Sequence, residues 1–200
     1  MSYPSEFISV FARNCSVRRI EATVARAFLS VNHRYGFSRA RYHYGIFVEK
    51  QGGGLRDASG QELCPVGTMV AAGSFSAARR WLKDEGQVLS YEWVRYASLK
   101  GVRVLGGMSK MLKAFIAEVN PDDIMSYAPL AGSEVQESKG SVQKCSCNEQ
   151  RRDDGSSLHQ CWEEAQAGEV YTLLGFKLEG VKEFAGGRSA KYRLRLKHSV

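Results

Sequence analysis

The clearest pattern of apolar and polar residues in the chain is a helical one. Apolar side chains recur at intervals of three and four residues over Met108–Val119, the spacing that places them on one face of an α-helix. Asn120 and a following proline predict where this helix ends. A strand is predicted before it at Val88–Ser98 and a short buried strand after it at Ile124–Tyr127, so this stretch is interpreted as strand, glycine turn, helix and strand.

Weaker patterns on both sides predict further elements. One helix is predicted to begin at Ser16, whose hydroxyl would cap it, and to end near Val31. A second, short helix is predicted over Glu169–Leu174, and Ala77–Lys83 is interpreted as a basic connection. Strands that alternate with helices predict an α/β protein built on a sheet. The other predicted strands are Tyr44–Glu49, Thr68–Ser76 and Lys191–Lys197.

Residues 129–167 interrupt this pattern. They are rich in serine, glycine, glutamine and charge, with no sustained hydrophobic period. A structureless loop of this length is uncommon inside a compact domain. We therefore expect a single domain over residues 1–200, interrupted at 129–167 by a disordered insertion or by a gene-model artefact such as translated intron sequence.

Composition favours an intracellular protein. No apolar run approaches the roughly 20 residues of a membrane-spanning helix, and the start of the chain lacks a secretory pattern. The five cysteines are odd in number, which fits reduced thiols better than a disulfide framework. Cytoplasm, nucleus and organelle all remain open, since the early arginines and serines also fit a transit peptide. The net charge is +7, and a basic surface attracts phosphate ligands or nucleic acid.

A glycine turn precedes the predicted helix at residues 103–110, which read Arg-Val-Leu-Gly-Gly-Met-Ser-Lys. The first N–H groups of a helix lack intrahelical partners, and the helix dipole adds positive potential there. Glycines allow the backbone to approach a pyrophosphate closely, and Arg103 and Lys110 add charge. A helix start packed tightly against a sheet would have the same sequence.

Two segments resemble the GNAT superfamily of acyl-CoA N-acyltransferases. Arg103-x-x-Gly106-x-Met108 is similar to the turn that holds the coenzyme A pyrophosphate there, with Met108 in place of the usual glycine or alanine. Val170–Phe176 resembles the family's closing motif, whose tyrosine, here Tyr171, often protonates the departing thiolate. The resemblance implies a mixed, mostly antiparallel sheet flanked by helices and acetyl-CoA or another acyl-CoA as cofactor. Its implied cofactor-binding residues are Arg103, Gly106, Gly107, Met108, Ser109 and Lys110.

An ordered set of segments is similar to a narrower group within that superfamily. The group comprises phage-encoded GNAT-like domains found with homing endonucleases, the Mom DNA-modification enzymes and related plant proteins. In those relatives an aspartate follows the strand Ile124–Tyr127, where this chain has Pro129. The segments are Phe28-Leu29-x-x-Asn32-His33, Tyr44–Phe47, Gly73–Ser76, Tyr91-Glu92-x-x-Arg95-Tyr96, Gly106–Leu112 and Ile124–Ala128.

The same resemblance supplies candidate catalytic residues beside Tyr171. His33 falls at the Mom-like histidine, and a histidine can act as a base near neutral pH. Arg95 falls at the strand arginine, and Glu92 is a second candidate base. Glu92 and Arg95 are three apart, so they face opposite sides of a strand unless a bulge intervenes.

Different residues bear on a metal site and on a nucleic-acid site. Cys145, Cys147, His159 and Cys161 are soft ligands, but their tight spacing favours chance cysteines over a zinc site, and we expect no metal. Two arginine groups, one interleaved with aromatic residues and one on the last strand, suit phosphate contact and base stacking, although a solvated edge strand fits equally. These arginines are Arg34, Arg39, Arg41, Arg193 and Arg195.

Two functions therefore remain open. The first is an acyl-CoA-dependent transferase of the GNAT fold that modifies a nucleic-acid base or a nucleic-acid-linked amine. The second is a catalytically inactive GNAT-like module that binds DNA or tRNA through its basic surface. Neither the acyl donor, the acceptor nor the oligomeric state can be read from the sequence.

Overall fold

The computed structural model describes residues 8–50, 64–83, 86–129, 169–184 and 187–196. Its internal contacts divide the chain into two compact units. The first unit is Met1–Ser126 with Leu194–Val200, and the second is Tyr127–Arg193. Within the described residues, no helix is long and apolar enough to cross a membrane.

The first unit contains most of the regular structure. In chain order its elements are β1 (Ile8–Phe11), a 3-10 turn (Ala12–Asn14), β2 (Cys15–Arg19), α1 (Ala22–Asn32), β3 (Tyr42–Val48), β4 (Met69–Phe75), β5 (Arg79–Lys83), β6 (Gly86–Ser98), β7 (Val102–Leu105), α2 (Gly107–Val119) and β8 (Asp123–Pro129), whose last three residues belong to the second unit.

Five of these strands form one mixed sheet in the order β2-β3-β4-β6-β8, and β5 pairs with β6 as well. All of these pairs are antiparallel except β6 and β8, which run parallel from Ser90 opposite Asp123 to Trp93 opposite Ser126. β1 and β7 form a separate parallel pair. The mixed, mostly antiparallel sheet flanked by helices is therefore confirmed.

The two long helices cover opposite faces of this sheet. Phe28 and Leu29 of α1 pack on Ala72 and Ala97. On the other face, Phe115 of α2 stacks on Phe75 of β4, with ring centroids 3.9 Å apart and planes inclined by 3°. Because β4 carries small residues at its centre, both helices approach the sheet closely.

A β-bulge interrupts β6 at Val94. Ser74 of β4 pairs with Arg95, whereas the next residue of β4, Phe75, pairs with Trp93, which leaves Val94 outside the ladder. Such an extra residue shifts the alternation of side chains by one position. Glu92 and Arg95 therefore lie on the same face, that of α1, because the bulge is the exception under which the sequence allowed them to share a side.

The second unit contains a short helix, α3 (residues 169–173), and a hairpin of β9 (Lys177–Phe184) and β10 (Gly187–Arg195). The last two residues of β10 belong to the first unit. A register shift places Lys191 opposite Gly180 but Tyr192 opposite Leu178. Glu179 is therefore the bulged residue of this hairpin.

β6, α2 and β8 were predicted to within a few residues, β7 was not predicted, and two other predictions were wrong. Ser16 lies in β2 and caps no helix, because residues 15–19 pair with β3. Instead α1 begins after Glu21, without a side-chain cap. The predicted basic connection contains β5, because Arg79–Lys83 pairs with β6. Of the predicted insertion, Pro129 ends β8 and residues 130–167 lie outside the described part of the chain.

Candidate functional site

Two glycines form the turn between β7 and α2, and each is required for a different reason. Gly106 has φ +76°, a left-handed conformation that favours glycine. Among the described residues, a Cβ there would meet only the Cβ of Ala12, at 3.7 Å. A Cβ on Gly107 would lie 2.4 Å from the hydroxyl oxygen of Tyr96 and 2.8 Å from Cγ1 of Val104. Gly106 is therefore required because of its backbone conformation, and Gly107 is required because the helix packs closely on the sheet.

Several backbone N–H groups at the amino end of α2 have no acceptor within the helix. The N–H of Lys110 bonds the carbonyl of Gly106 at 3.0 Å. The N–H groups of Gly107, Met108 and Ser109 precede it and have no intrahelical acceptor. The N-cap residue, Gly106, has no side chain to cap this end, and no acidic residue lies in the first turn. These donors and the helix dipole fit the oxygens of a phosphate.

Lys110 does not point its charge into this donor set. Its ammonium donates to the backbone carbonyl of Ala12 at 2.8 Å and to that of Cys15. The side chain thus fastens α2 to the 3-10 turn between β1 and β2, a role that sequence spacing did not indicate. Arg103, the other predicted cation, is exposed on β7, where it lies opposite Ser9.

His33 and Arg95 come together on the α1 face, although they are far apart in sequence. Nε of Arg95 donates to the carbonyl of Gly36 at 3.3 Å, and its guanidinium lies 5.9 Å from the ring of Tyr35. Burial, together with the positive charge of Arg95, lowers the pKa of His33 to about 4. The imidazole is therefore neutral at pH 7.

The hydrogen bonding of His33 limits what it can do as a base. The backbone N–H of Tyr35 donates to its Nδ1 at 3.0 Å. In a neutral imidazole the other nitrogen, Nε2, then carries the proton. His33 in this arrangement is a hydrogen-bond donor through Nε2, and accepting a proton would require Nδ1 to release Tyr35.

Glu92 is fixed on the same face by contacts at both its side chain and its backbone. Its carboxylate pairs with Arg79 of β5 at 3.2 Å. Its N–H donates to the hydroxyl of Ser76 at 2.9 Å, and its carbonyl accepts the N–H of Ser76 at 2.9 Å. The bulge at Val94 thus places a carboxylate and the Arg95 guanidinium on one side of β6.

Tyr171 lies in the second unit, on α3 as the sequence predicted. Its ring stacks on Tyr192 of β10, with centroids 5.5 Å apart and planes inclined by 27°. It also meets the ring of Phe176 at 5.4 Å, edge to face. Its backbone carbonyl accepts the N–H of Phe176 at 2.9 Å. These contacts fix the ring within its own unit.

The predicted nucleic-acid arginines fall into different environments. Arg39, Arg41 and Arg195 are exposed, and Arg34 lies over the Tyr35 ring at 5.4 Å. In contrast, Nε of Arg193 is 2.6 Å from a carboxylate oxygen of Glu179, and only 14% of its side chain is exposed. Arg193 is a structural ion-pair partner, and the basic face predicted for the last strand is partly neutralised.

The candidate zinc ligands Cys145, Cys147, His159 and Cys161 lie outside the described residues. Within those residues, no group of three or more histidine, cysteine or acidic side chains is placed to hold a metal ion. The described cysteines, Cys15 and Cys64, are buried and form no disulfide within the described residues.

Comparison with known proteins identifies the fold. No protein-family model and no curated protein sequence matches the chain. A mutant of spermidine N-acetyltransferase from Vibrio cholerae matches with a TM-score of 0.50 and 9% identity, over 92% of this chain and 94% of that one. The likeness shows that this chain has the fold of the GNAT acetyltransferases.

Two further structures are similar at somewhat lower scores. The ribosomal-protein-S5-alanine acetyltransferase from Vibrio fischeri has a TM-score of 0.49 and 10% identity, over 91% of this chain and 93% of that one. A chain of the NatC complex bound to Gag peptide and CoA has a TM-score of 0.49 and 11% identity, over 92% of this chain and 99% of that one.

Proposed function

We propose that this chain is an acyl-CoA-dependent N-acyltransferase. The observation that carries the proposal is the amino end of α2, where a left-handed glycine opens a helix whose first N–H groups have neither a side-chain cap nor an acidic neighbour. A donor set of this kind binds anions. It lies on a chain with the GNAT fold, in a turn similar to the one that holds the coenzyme A pyrophosphate in that family.

The cofactor would be held mainly by backbone groups. The N–H groups of Gly107, Met108 and Ser109 would bind the pyrophosphate, and Arg103 would add positive charge. Met108 contributes only its N–H, so its bulky side chain is compatible with this role. Lys110 would act indirectly, by fixing α2 to the turn at Ala12. When bound, acyl-CoA supplies the acyl group as a reactive thioester.

The acceptor amine would bind on the α1 side of β6. Glu92 presents a carboxylate there, held by Arg79, and a carboxylate both attracts an ammonium group and can take its proton. His33 Nε2–H and Arg95 would orient the acceptor. Tyr171 would donate its hydroxyl proton to the departing thiolate, a role implied by the family's closing motif.

The finer part of the proposal concerns the acceptor. The exposed Arg34, Arg39 and Arg41 belong to the segment between α1 and β3, which also carries His33. A polyanion would be attracted to this segment. We therefore include nucleic-acid-linked amines among the acceptors, beside polyamines and peptide amines.

Calorimetric titration with acetyl-CoA tests the proposal, with two matched glycine variants. Gly106 and Gly101 both have φ +76°, and a Cβ on Gly101 would meet nothing within 4 Å. Gly106→Ala and Gly101→Ala therefore carry similar backbone strain, but only the first disturbs the amino end of α2. We expect the unaltered protein to bind acetyl-CoA. Gly106→Ala should weaken this binding about tenfold or more, as for the loss of a charge-assisted hydrogen bond. Gly101→Ala should leave the affinity unchanged.

Two results would overturn the proposal. One is the absence of acetyl-CoA binding by the unaltered protein, and the other is equal loss of affinity in the two variants. Release of free thiol with a panel of amines then identifies the acceptor. Salt-sensitive binding to single-stranded RNA or DNA without acetyl-CoA binding would instead support the inactive nucleic-acid-binding module.

A further inference from the structure

The pair of strands β1 and β7 has one buried and one exposed face. The register places Val10 opposite Val104 and Phe11 opposite Leu105. Val10 and Val104 are buried, whereas Phe11 is 44% exposed and Leu105 is 40% exposed. Two large apolar side chains thus lie next to each other at the surface, on the residues that immediately precede the 3-10 turn and the glycine turn.

Two arginines accompany this apolar pair. The guanidinium carbon of Arg13 lies 4.6 Å from the centroid of the Phe11 ring. Arg103 is exposed and occupies the same face of β7 as Leu105, two residues away. We call Phe11, Leu105, Arg13 and Arg103 the ribbon surface. It combines an aromatic ring, an apolar neighbour and two permanent positive charges, which together suit a planar base that carries phosphates.

The ribbon surface is fixed beside the amino end of α2. Lys110 of α2 donates to the carbonyl of Ala12, the residue between Phe11 and Arg13. A Cβ at Gly106 would lie 3.7 Å from the Cβ of Ala12. Arg13 and Arg103 are exposed and lie close in sequence to the two turns.

We propose that the ribbon surface binds the nucleotide end of the cofactor. This inference rests on the proposed function and adds residues to it. Phe11 stacks on the adenine base, Leu105 packs beside it, and Arg13 and Arg103 bind phosphate oxygens of the adenosine 3′,5′-bisphosphate group. Charge complementarity and the aromatic ring select this occupant, while the adjacent N–H groups of α2 take the pyrophosphate.

The experiment compares two ligands by calorimetry on the full chain. Coenzyme A carries the nucleotide, and 4′-phosphopantetheine lacks it. The variants are Phe11→Ala, Phe11→Trp and Arg13→Ala. The matched control is Arg26→Ala, because Arg26 lies over the Phe37 ring at 4.7 Å, in a similar pair on the α1 side.

We expect Phe11→Ala to weaken coenzyme A binding about 5- to 100-fold, the range that loss of base stacking gives. Arg13→Ala should weaken it about tenfold, and Phe11→Trp should retain it because tryptophan also stacks. Arg26→Ala should leave it unchanged. None of the four should alter the affinity for 4′-phosphopantetheine by more than about twofold.

Three results would overturn the inference. The first is coenzyme A binding that Phe11→Ala and Arg13→Ala leave unchanged, which would leave the proposed function intact. The second is an equal loss for both ligands, which would indicate a disturbed fold around the turn. The third is ribbon-surface variants that weaken binding of single-stranded oligonucleotides but not of coenzyme A, which would assign the surface to nucleic acid. Absence of coenzyme A binding by the unaltered protein would refute the proposed function and this inference together.

Discussion

Gly107 is the residue whose replacement tests the packing of the site most directly. In Gly107→Ala the new methyl group would lie 2.4 Å from the Tyr96 hydroxyl oxygen and 2.8 Å from Cγ1 of Val104. Real Cβ atoms do not approach other heavy atoms so closely, so α2 or the two side chains must move. Overpacking of this kind costs about 1–3 kcal/mol.

Two other terms bear on the net effect of Gly107→Ala. Alanine is favoured over glycine in a helix by at most about 1 kcal/mol, which offsets only part of the overpacking cost. Val104 and Tyr96 lie in a closely packed region, so little relaxation is available without moving the helix. We expect the free energy of unfolding to fall by about 1–2 kcal/mol, which lowers Tm by roughly 2–8 °C in a chain of this size.

A double-mutant cycle with Tyr96→Phe isolates the cause. Burial raises the pKa of Tyr96 to about 12, and the nearby Ser98 side chain opposes this only in part. The hydroxyl makes no hydrogen bond of good geometry to any described residue, so Tyr96→Phe alone should cost little. Because it removes the nearest atom, it should recover about 1 kcal/mol of the loss in Gly107→Ala.

Chemical and thermal unfolding, followed by circular dichroism, measure these quantities for both single variants and the double variant. The reasoning is refuted if Gly107→Ala is as stable as the unaltered protein, or if the losses in the double variant simply add.

Two further predictions concern titrating groups. Burial alone raises the pKa of Glu179, but the bonds and charges of Lys191 and Arg193 lower it more, so its stabilisation is present at neutral pH and is lost as pH falls through the lowered pKa. Glu179→Gln should reduce the free energy of unfolding at pH 7 by about 1–3 kcal/mol, whereas the exposed Glu183→Gln should change it by less than about 0.5 kcal/mol, both measured by urea unfolding; equal effects would contradict the prediction. Because burial and Arg95 lower the pKa of His33 to about 4, the folded protein resists protonating it and loses stability as pH falls from about 6.5 towards 4. NMR titration should show the His33 ring neutral at pH 6, and a midpoint near 6.5 would be the contrary result.

The sequence predicted best where one regular period dominates. α2 carries apolar residues at helical spacing and ends at Asn120, whose φ of +48° is the left-handed conformation expected at a helix end. The predicted start of α1 was wrong because the spacing of apolar residues continues back through β2. Pairing with β3, which local periodicity cannot report, makes residues 15–19 a strand.

The site was only partly predictable, because its geometry depends on long-range contacts. The two glycines and the turn could be read from the sequence, but the reason for Gly107 is the hydroxyl of Tyr96, which comes from another strand. The role of Lys110 depends on carbonyls of Ala12 and Cys15, more than 90 positions earlier in the chain. A resemblance of short motifs predicts which residues line a site, but it does not show which of their charges are already paired with other groups of the protein.

The bulge at Val94 links the two halves of the proposed site. Before it, Trp93 faces α2 and Glu92 faces α1; after it, Tyr96 faces α2 and Arg95 faces α1. If β6 continued through Val94 as a regular strand, Arg95 would lie with Trp93 on the α2 face and Tyr96 would point away from Gly107. The support for the cofactor turn and the location of Glu92 and Arg95 on the same side of β6 therefore depend on the same bulge. Val94 has no chemical role of its own in the proposed reaction, yet it determines which side of the sheet each neighbouring group serves.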